Sequence, residues 1–98
     1  MGGAIFANTN FNRANLTDET ATDANFYFVT FVGAILIGTN FANSHMNFAD
    51  FTGADLTNAE MSGVILTSAT LTGATLTNVN WSNTTCPNGT VVSGSPEC

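Results

Sequence analysis

The sequence predicts an all-β fold, a four-sided parallel β-helix of about four coils with a short C-terminal cap. Three observations predict it. A large apolar residue returns every fifth position: Phe6, Phe11, Leu16, Ala21, Phe26, Phe31, Leu36, Phe41, Met46, Phe51, Leu56, Met61, Leu66, Leu71, Leu76 and Trp81, of which only Ala21 is small. Two residues before each of these centres stands Ala, Val, Ser or Thr, with Glu19 the one exception. Residues twenty apart match in size, as in the row Leu16, Leu36, Leu56, Leu76 and the row Phe11, Phe31, Phe51, Leu71. A coil of fifteen would instead stack Phe6, Ala21, Leu36, Phe51, Leu66 and Trp81, a poorer match for in-register parallel ladders.

Each five-residue word has a physical division of labour. In extended backbone, residues two apart point to the same face, so the small residue and the centre both turn inward. The residue between them points out. The last two positions must turn the chain, and they are rich in Thr, Ser, Asn, Gly and Asp, which form local hydrogen bonds or accept unusual backbone angles. A helix is excluded, because a five-residue period holds no stripe at 3.6 residues per turn. At roughly 4.8 Å per coil, four coils make a stubby rod on the order of 15–20 Å from first coil to last.

The words Ala14-Asn15-Leu16-Thr17-Asp18, Ala49-Asp50-Phe51-Thr52-Gly53 and Ala54-Asp55-Leu56-Thr57-Asn58 closely resemble the consensus of pentapeptide-repeat proteins. The resemblance covers residues 4–83 and implies the family fold, a right-handed quadrilateral β-helix. The right-handed bias of parallel crossovers points the same way. Residues 84–98 are then a C-terminal capping tail.

Taken in order, the chain has room for one domain in its 98 residues. Seven acidic residues stand against one base, Arg13, so nucleic acid and anionic membranes are not expected partners. No apolar run of eighteen residues offers a membrane span. The start, Met1-Gly2-Gly3-Ala4-Ile5-Phe6, lacks the features of a signal peptide and of a myristoylation site. In the first coil, Glu19 at a small position and Ala21 at a centre predict a distorted corner, with Glu19 turned to solvent and the Ala21 slot underfilled. A cation site from Asp18, Glu19 and Asp23 is disfavoured, since no loop of oxygen ligands has a recognised spacing.

The second coil is apolar on its outside. Tyr27, Phe28, Val32, Ile35 and Ile37 point outward, Phe48 is expected to stack over Phe28, and Ile5 is expected one coil below on an adjoining side. A contiguous belt of this kind predicts a partner-binding surface; corner aromatics that merely shield the backbone are the competing reading. Asp50, Asp55 and Glu60 take equivalent outward positions on three successive sides, so they cannot converge on one substrate. His45, the only histidine, has no companion for a metal site or a triad.

After Trp81 the five-residue phase is expected to stop, and the tail to fold back over Trp81 and Leu76. Cys86 and Cys98, the only cysteines, have eleven residues between them. A disulfide would close that loop and stabilise it by roughly 2–3 kcal/mol on loop entropy; two free thiols are the alternative. The three Asn-X-Thr triplets, at Asn15, Asn83 and Asn88, match a glycosylation pattern, but the first two follow from the repeat word itself.

Two functions are compatible with these features, and neither is enzymatic, because no nucleophile has a base, no glycine loop precedes a helix and no metal spacing appears. One is a structural or protein-interaction module. It would act through the apolar belt and an uncapped N-terminal end, where Phe6, Phe11 and Leu16 have only three residues to cover them. Its partner would be a second copy or another repeat protein. The other is inhibition by DNA mimicry: the resemblance extends to acidic family members that bind type II topoisomerase (gyrase). The compartment is undecided, since a disulfide indicates an oxidising space such as a periplasm or thylakoid lumen and the missing signal peptide indicates cytoplasm.

Overall fold

A computed structural model of the protein describes residues 2–92. The chain coils with twenty residues per turn. Parallel bridges join Ile5 to Asn25, Asn25 to His45 and His45 to Ile65 up one side, and the same spacing recurs on the other three. Each bridge lies at the residue between the small position and the centre. The centre's N–H donates up to a carbonyl nineteen residues on, as from Phe31 to Asp50 (2.7 Å) and from Leu36 to Asp55 (2.8 Å). The bridge residue's N–H donates down, as from Asp50 to Val29 (2.9 Å). A short ladder on every side thus satisfies the backbone with only a few extended residues per word.

The corners explain the composition of the last two positions. At most corners the N–H of the small residue donates to the carbonyl of the preceding centre, as from Ala54 to Phe51 at 2.9 Å. The third residue of that turn has positive φ throughout, from Asn8 (63°) to Asn83 (54°). Only Gly, Asn and Asp enter this region at low cost, and they hold most of these sites. The bridge-position Asn or Asp adds a second brace. Asn10, Asn40, Asp50 and Asp55 accept from the backbone N–H two residues on, and Asp50 and Asp55 also accept from the hydroxyls of Thr52 and Thr57.

The core is a column of centres and small residues. Phe26, Phe31, Leu36, Phe41, Met46, Phe51, Leu56, Met61 and Leu66 are fully buried, with Ala24, Ala34, Ala49, Ala54 and Ala59 beside them. Phenylalanines twenty apart lie ring over ring, Phe11 on Phe31 at 5.3 Å and Phe31 on Phe51 at 5.1 Å between centroids. Three small positions hold buried hydroxyls. Thr39, Ser44 and Thr84 each donate at 2.8 Å to a centre carbonyl one coil down, on Leu16, Ala21 and Met61. These hydroxyls are therefore paired, as buried polar groups must be.

Three expectations need correction. Glu19 does face solvent, but the turn that ends on it is regular, its N–H bonding Leu16 at 3.0 Å and Asp18 keeping φ at 59°; the departure in this word is at its other corner, where the Ala24 N–H reaches the Ser44 hydroxyl instead of the Ala21 carbonyl. The turn is closed by backbone bonds, and at the edge coil an inward position can still reach water. Ala21 is fully buried in the core. Ile5 lies on the same side as Tyr27 and Phe28, not an adjoining one, because it bridges Asn25. The coil also runs past residue 83. Thr85 bridges Ile65, Ser68 donates to Pro87 (2.9 Å), and Thr84 and Cys86 occupy buried small and centre positions.

Beyond Pro87 the chain turns back. β1 (Thr84–Thr85) pairs antiparallel with β2 (Val91–Val92), and Val92 packs against the core while Trp81 is buried. Cys98, and with it the expected Cys86–Cys98 pairing, lies outside the described residues.

Candidate functional site

The four sides differ in what they display, and the difference comes from counting by twenty. The first side carries Ile5, Asn25, His45 and Ile65 at the bridge position, then Ala7, Tyr27, Asn47 and Thr67, then Asn8, Phe28, Phe48 and Ser68 at its far corner. Among the described residues it bears no carboxylate. Asp50 lies on the second side, Asp18 and Asp55 on the third, and Glu19, Asp23 and Glu60 on the fourth. Asp23 stands at the corner that leads into the first side.

Phe28 and Phe48 are the unusual residues of that side. They occupy the positive-φ site of their turns, at 58° and 63°. For a bulky side chain this conformation costs about 1–2 kcal/mol relative to an ordinary one. The rings lie parallel, 4.7 Å apart and 4° from coplanar, yet Phe28 is 53% and Phe48 49% exposed. Stacking returns only about 0.5–1.5 kcal/mol. Asn or Gly would serve the turn better, as at Asn43, Gly53 and Asn58, so folding alone does not account for two phenylalanines here.

Their surroundings extend the apolar surface. Half-buried Tyr27 lies next to Phe28 and its ring is 6.0 Å from that of exposed His45. Ile5 is 78% exposed one coil below. Asn47, one residue before Phe48, has a buried Oδ1 with no hydrogen-bond partner among the described residues. The other expected contact residues are elsewhere. Val32 is half-buried on the second side, and Ile35 (exposed) and Ile37 (half-buried) are on the third. The belt of the second coil thus wraps three sides and presents no single face. Phe6 and Phe11, also expected to contact a partner, lie inside the first coil, partly buried and packed on the core through Phe26 and Phe31.

The acidic residues form no site. Asp50, Asp55 and Glu60 are on separate sides, each committed to its own turn through Thr52, Thr57 and Ser62. The Thr57 hydroxyl and, next, its backbone N–H hold the Asp55 carboxyl below its ordinary value of 3.8. Among the described residues no three His, Cys, Asp or Glu side chains gather as metal ligands, and no helix is long and apolar enough to cross a membrane. Sequence reasoning found the Phe28–Phe48 stack but missed the uncharged side and Asn47. Sorting outward residues by side rather than by coil would have shown the first of these.

Residues 4–81 match the family model described as "Pentapeptide repeat region". HetL, a pentapeptide repeat protein involved in heterocyst differentiation regulation from the cyanobacterium Nostoc sp. strain PCC 7120, has a similar structure. It aligns with a TM-score of 0.91 at 20% identity over 93% of this chain and 42% of its own. A second pentapeptide repeat protein from Nostoc PCC 7120 aligns at 0.84 with 26% identity over 95% of this chain and 77% of its own. QnrB1, a plasmid-mediated fluoroquinolone resistance protein in a trypsin-treated form, aligns at 0.65 with 21% identity over 85% of this chain and 56% of its own. The chain thus spans less than half the length of HetL, and at these identities the likenesses to HetL and QnrB1 concern the fold. No curated protein sequence matches it.

Proposed function

Because the chain belongs to the pentapeptide-repeat family, we propose that it is a structural, protein-interaction module: a rigid right-handed quadrilateral β-helical rod with no catalytic site. Its working surface is the first side. One observation carries this reading, the pair Phe28–Phe48, held at positive φ and half-exposed where the turn itself favours Asn or Gly. Apolar surface kept in water at a conformational cost marks a place of contact. The interior is occupied by core side chains and the carboxylates are dispersed, so a rod with a sticky side is the function the geometry supports best.

The test is site-specific photo-crosslinking in extract of the source cells. A benzophenone side chain at position 48 should capture protein, while the same group at Thr75, exposed on the third side, should not. Equal capture from both positions, or none from either, would refute the assignment.

A gyrase-binding DNA mimic is the second reading, favoured by the acidic sign of the chain and its likeness in fold to QnrB1. The dispersal of the described carboxylates over three sides weighs against it, since a phosphate-like row needs them aligned. A supercoiling assay decides: no inhibition of gyrase at about tens of micromolar, far above the concentration at which a specific inhibitor acts, removes this reading. The interaction reading also includes a Cys86–Cys98 disulfide that closes the tail over the last coil in an oxidising compartment. Thiol counting on protein from native cells tests it, two reactive thiols under denaturation being the contrary result.

A further inference from the structure

We infer that the first side takes a second copy of this chain, packed side to side with the two rod axes antiparallel and the Phe28–Phe48 corners facing each other. The inference rests on the interaction reading above and names its partner. Three observations carry it: the distribution of charge, the size of the side, and what each possible two-fold axis would place in contact.

Charge decides which side two copies can share. The chain carries a formal net charge of −6, so two copies repel at long range. Contact through the third or fourth side would bring together copies of Asp18 and Asp55, or of Glu19, Asp23 and Glu60, and contact through the second would cover Asp50 and Arg13, of which Asp50 is already committed to Thr52. Burying like charges against each other, or desolvating an aspartate already bonded within its own turn, costs several kcal/mol per interface and selects against those arrangements. Only the first side lets two copies meet with their described carboxylates directed away or left at the rim. A basic partner would need acids on the surface it covers, and among the described residues this side has none.

The area is that of a real but modest interface. The chain exposes 4595 Å² in all, shared among four sides and two ends, so one side offers on the order of 600–750 Å² and two copies bury at most about 1,200–1,500 Å². That lies at the lower end of specific interfaces. Association in the range of about ten to a hundred micromolar follows, not a permanent dimer.

Symmetry chooses the orientation. A two-fold axis parallel to the rod would lay the aromatic corner of one copy against the opposite corner of the other, where Asp23 stands. That would bury a carboxylate against phenyl rings. A two-fold axis perpendicular to the rod and lying in the side reverses one copy end for end. It sets Phe28 and Phe48 against the partner's Phe48 and Phe28. Asp23 then faces the corner column between the partner's Asn43 and the partner's Gly63, which carries no charge. The same operation brings Tyr27 opposite the partner's Asn47, whose Oδ1 has no hydrogen-bond partner among the described residues.

Sedimentation equilibrium on the purified full chain tests the association. The wild type should dimerise at about tens of micromolar, and the double variant Phe28→Asn, Phe48→Asn should weaken dimerisation by more than about tenfold. These substitutions suit the backbone, because Asn8, Asn43, Asn58 and Asn78 occupy the same turn position, and an unchanged or raised unfolding midpoint confirms folding. Ile35→Asn, on the third side, should leave dimerisation unchanged. Photo-crosslinking from position 48 in the purified dimer should map to the partner's 28–33 or 48–53 segments; mapping to the partner's 22–24 or 42–44 segments would overturn the antiparallel arrangement. A wild type that stays monomeric at several hundred micromolar, or a dimer untouched by the double variant, would overturn the inference itself. A monomer whose position 48 captures a different protein in extract would overturn this inference and leave the interaction reading standing. A monomer with no capture would remove both.

Discussion

Ser44→Ala should cost more than its size suggests. In most turns of the coil the small residue's N–H closes directly onto the preceding centre's carbonyl, as from Ala34 to Phe31 (3.0 Å) and from Ala59 to Leu56 (2.9 Å). At the turn that starts from Ala21 the Ser44 hydroxyl stands in the gap. It donates to the Ala21 carbonyl at 2.8 Å and accepts from the Ala24 N–H at 3.1 Å, with Ser44, Ala21 and Ala24 all buried. Removing it strands a buried donor and deprives a buried acceptor, and each such group is worth about 1–3 kcal/mol. The expected loss is about 2–3 kcal/mol. Thr39→Val is the control. It removes an equivalent hydroxyl bond, but the Leu16 carbonyl keeps its bond from the Glu19 N–H at 3.0 Å, so the loss should be only about 0.5–1.5 kcal/mol. Urea titration of both variants at one pH, read as midpoints with the slope held common, measures the difference. If Ser44→Ala is as stable as wild type, the turn closes directly once the hydroxyl is gone. The bridging argument then fails.

The remaining predictions concern packing, glycine corners and acid. Leu56→Ala, fully buried in the all-leucine row, should cost about 2–5 kcal/mol, and Thr57→Ala, which loses only the hydroxyl bond to Asp55, about 0.5–1.5 kcal/mol; equal urea midpoints would overturn the inward and outward assignment. Gly53→Ala meets nothing within 4 Å and should cost only the positive-φ penalty of about 1 kcal/mol, whereas Gly38→Ala adds a clash with Asp18 Oδ1 and should cost more. Thermal midpoints in the reverse order would refute this. The lowered pKa of Asp55 gives stability that is present above its ordinary value of 3.8 and lost as pH falls through the folded value. Asp55→Asn keeps the acceptor, as Asn10 and Asn40 do, and should flatten the acid limb of the stability curve below about pH 4. An unchanged acid limb would show that the Thr57 bonds do not set the shift.

What the sequence determined by itself is the coil. The period of five, the inward pair in each word and the twenty-residue turn are local and repetitive, so each word states them again and one exception cannot erase them. That is why Glu19 leaves its corner regular although it violates the small-residue rule: fifteen neighbouring words and the backbone bonds of the turn decide the path. The Phe28–Phe48 stack was legible for the same reason, being two residues one coil apart. Tertiary structure decided what depends on a third residue or on exposure. That Ser44 serves a turn formed by Ala21 and Ala24, twenty or more positions earlier, cannot be seen in a row of small residues where Ala and Ser look equivalent. Cys86 continues the coil because it is small enough for the slot above Leu66 and because the chain turns back only after Pro87; by composition alone 84–87 resembled a tail. The positive φ of Phe28 and Phe48 turned an apolar outward pair into a site, since strain is a property of backbone angle that the residue name does not carry. Charge behaved likewise: seven acids read as an acidic surface until the coil sorted the six described ones onto three sides and left the first side without one, and only a coil of fixed length in space can do that sorting.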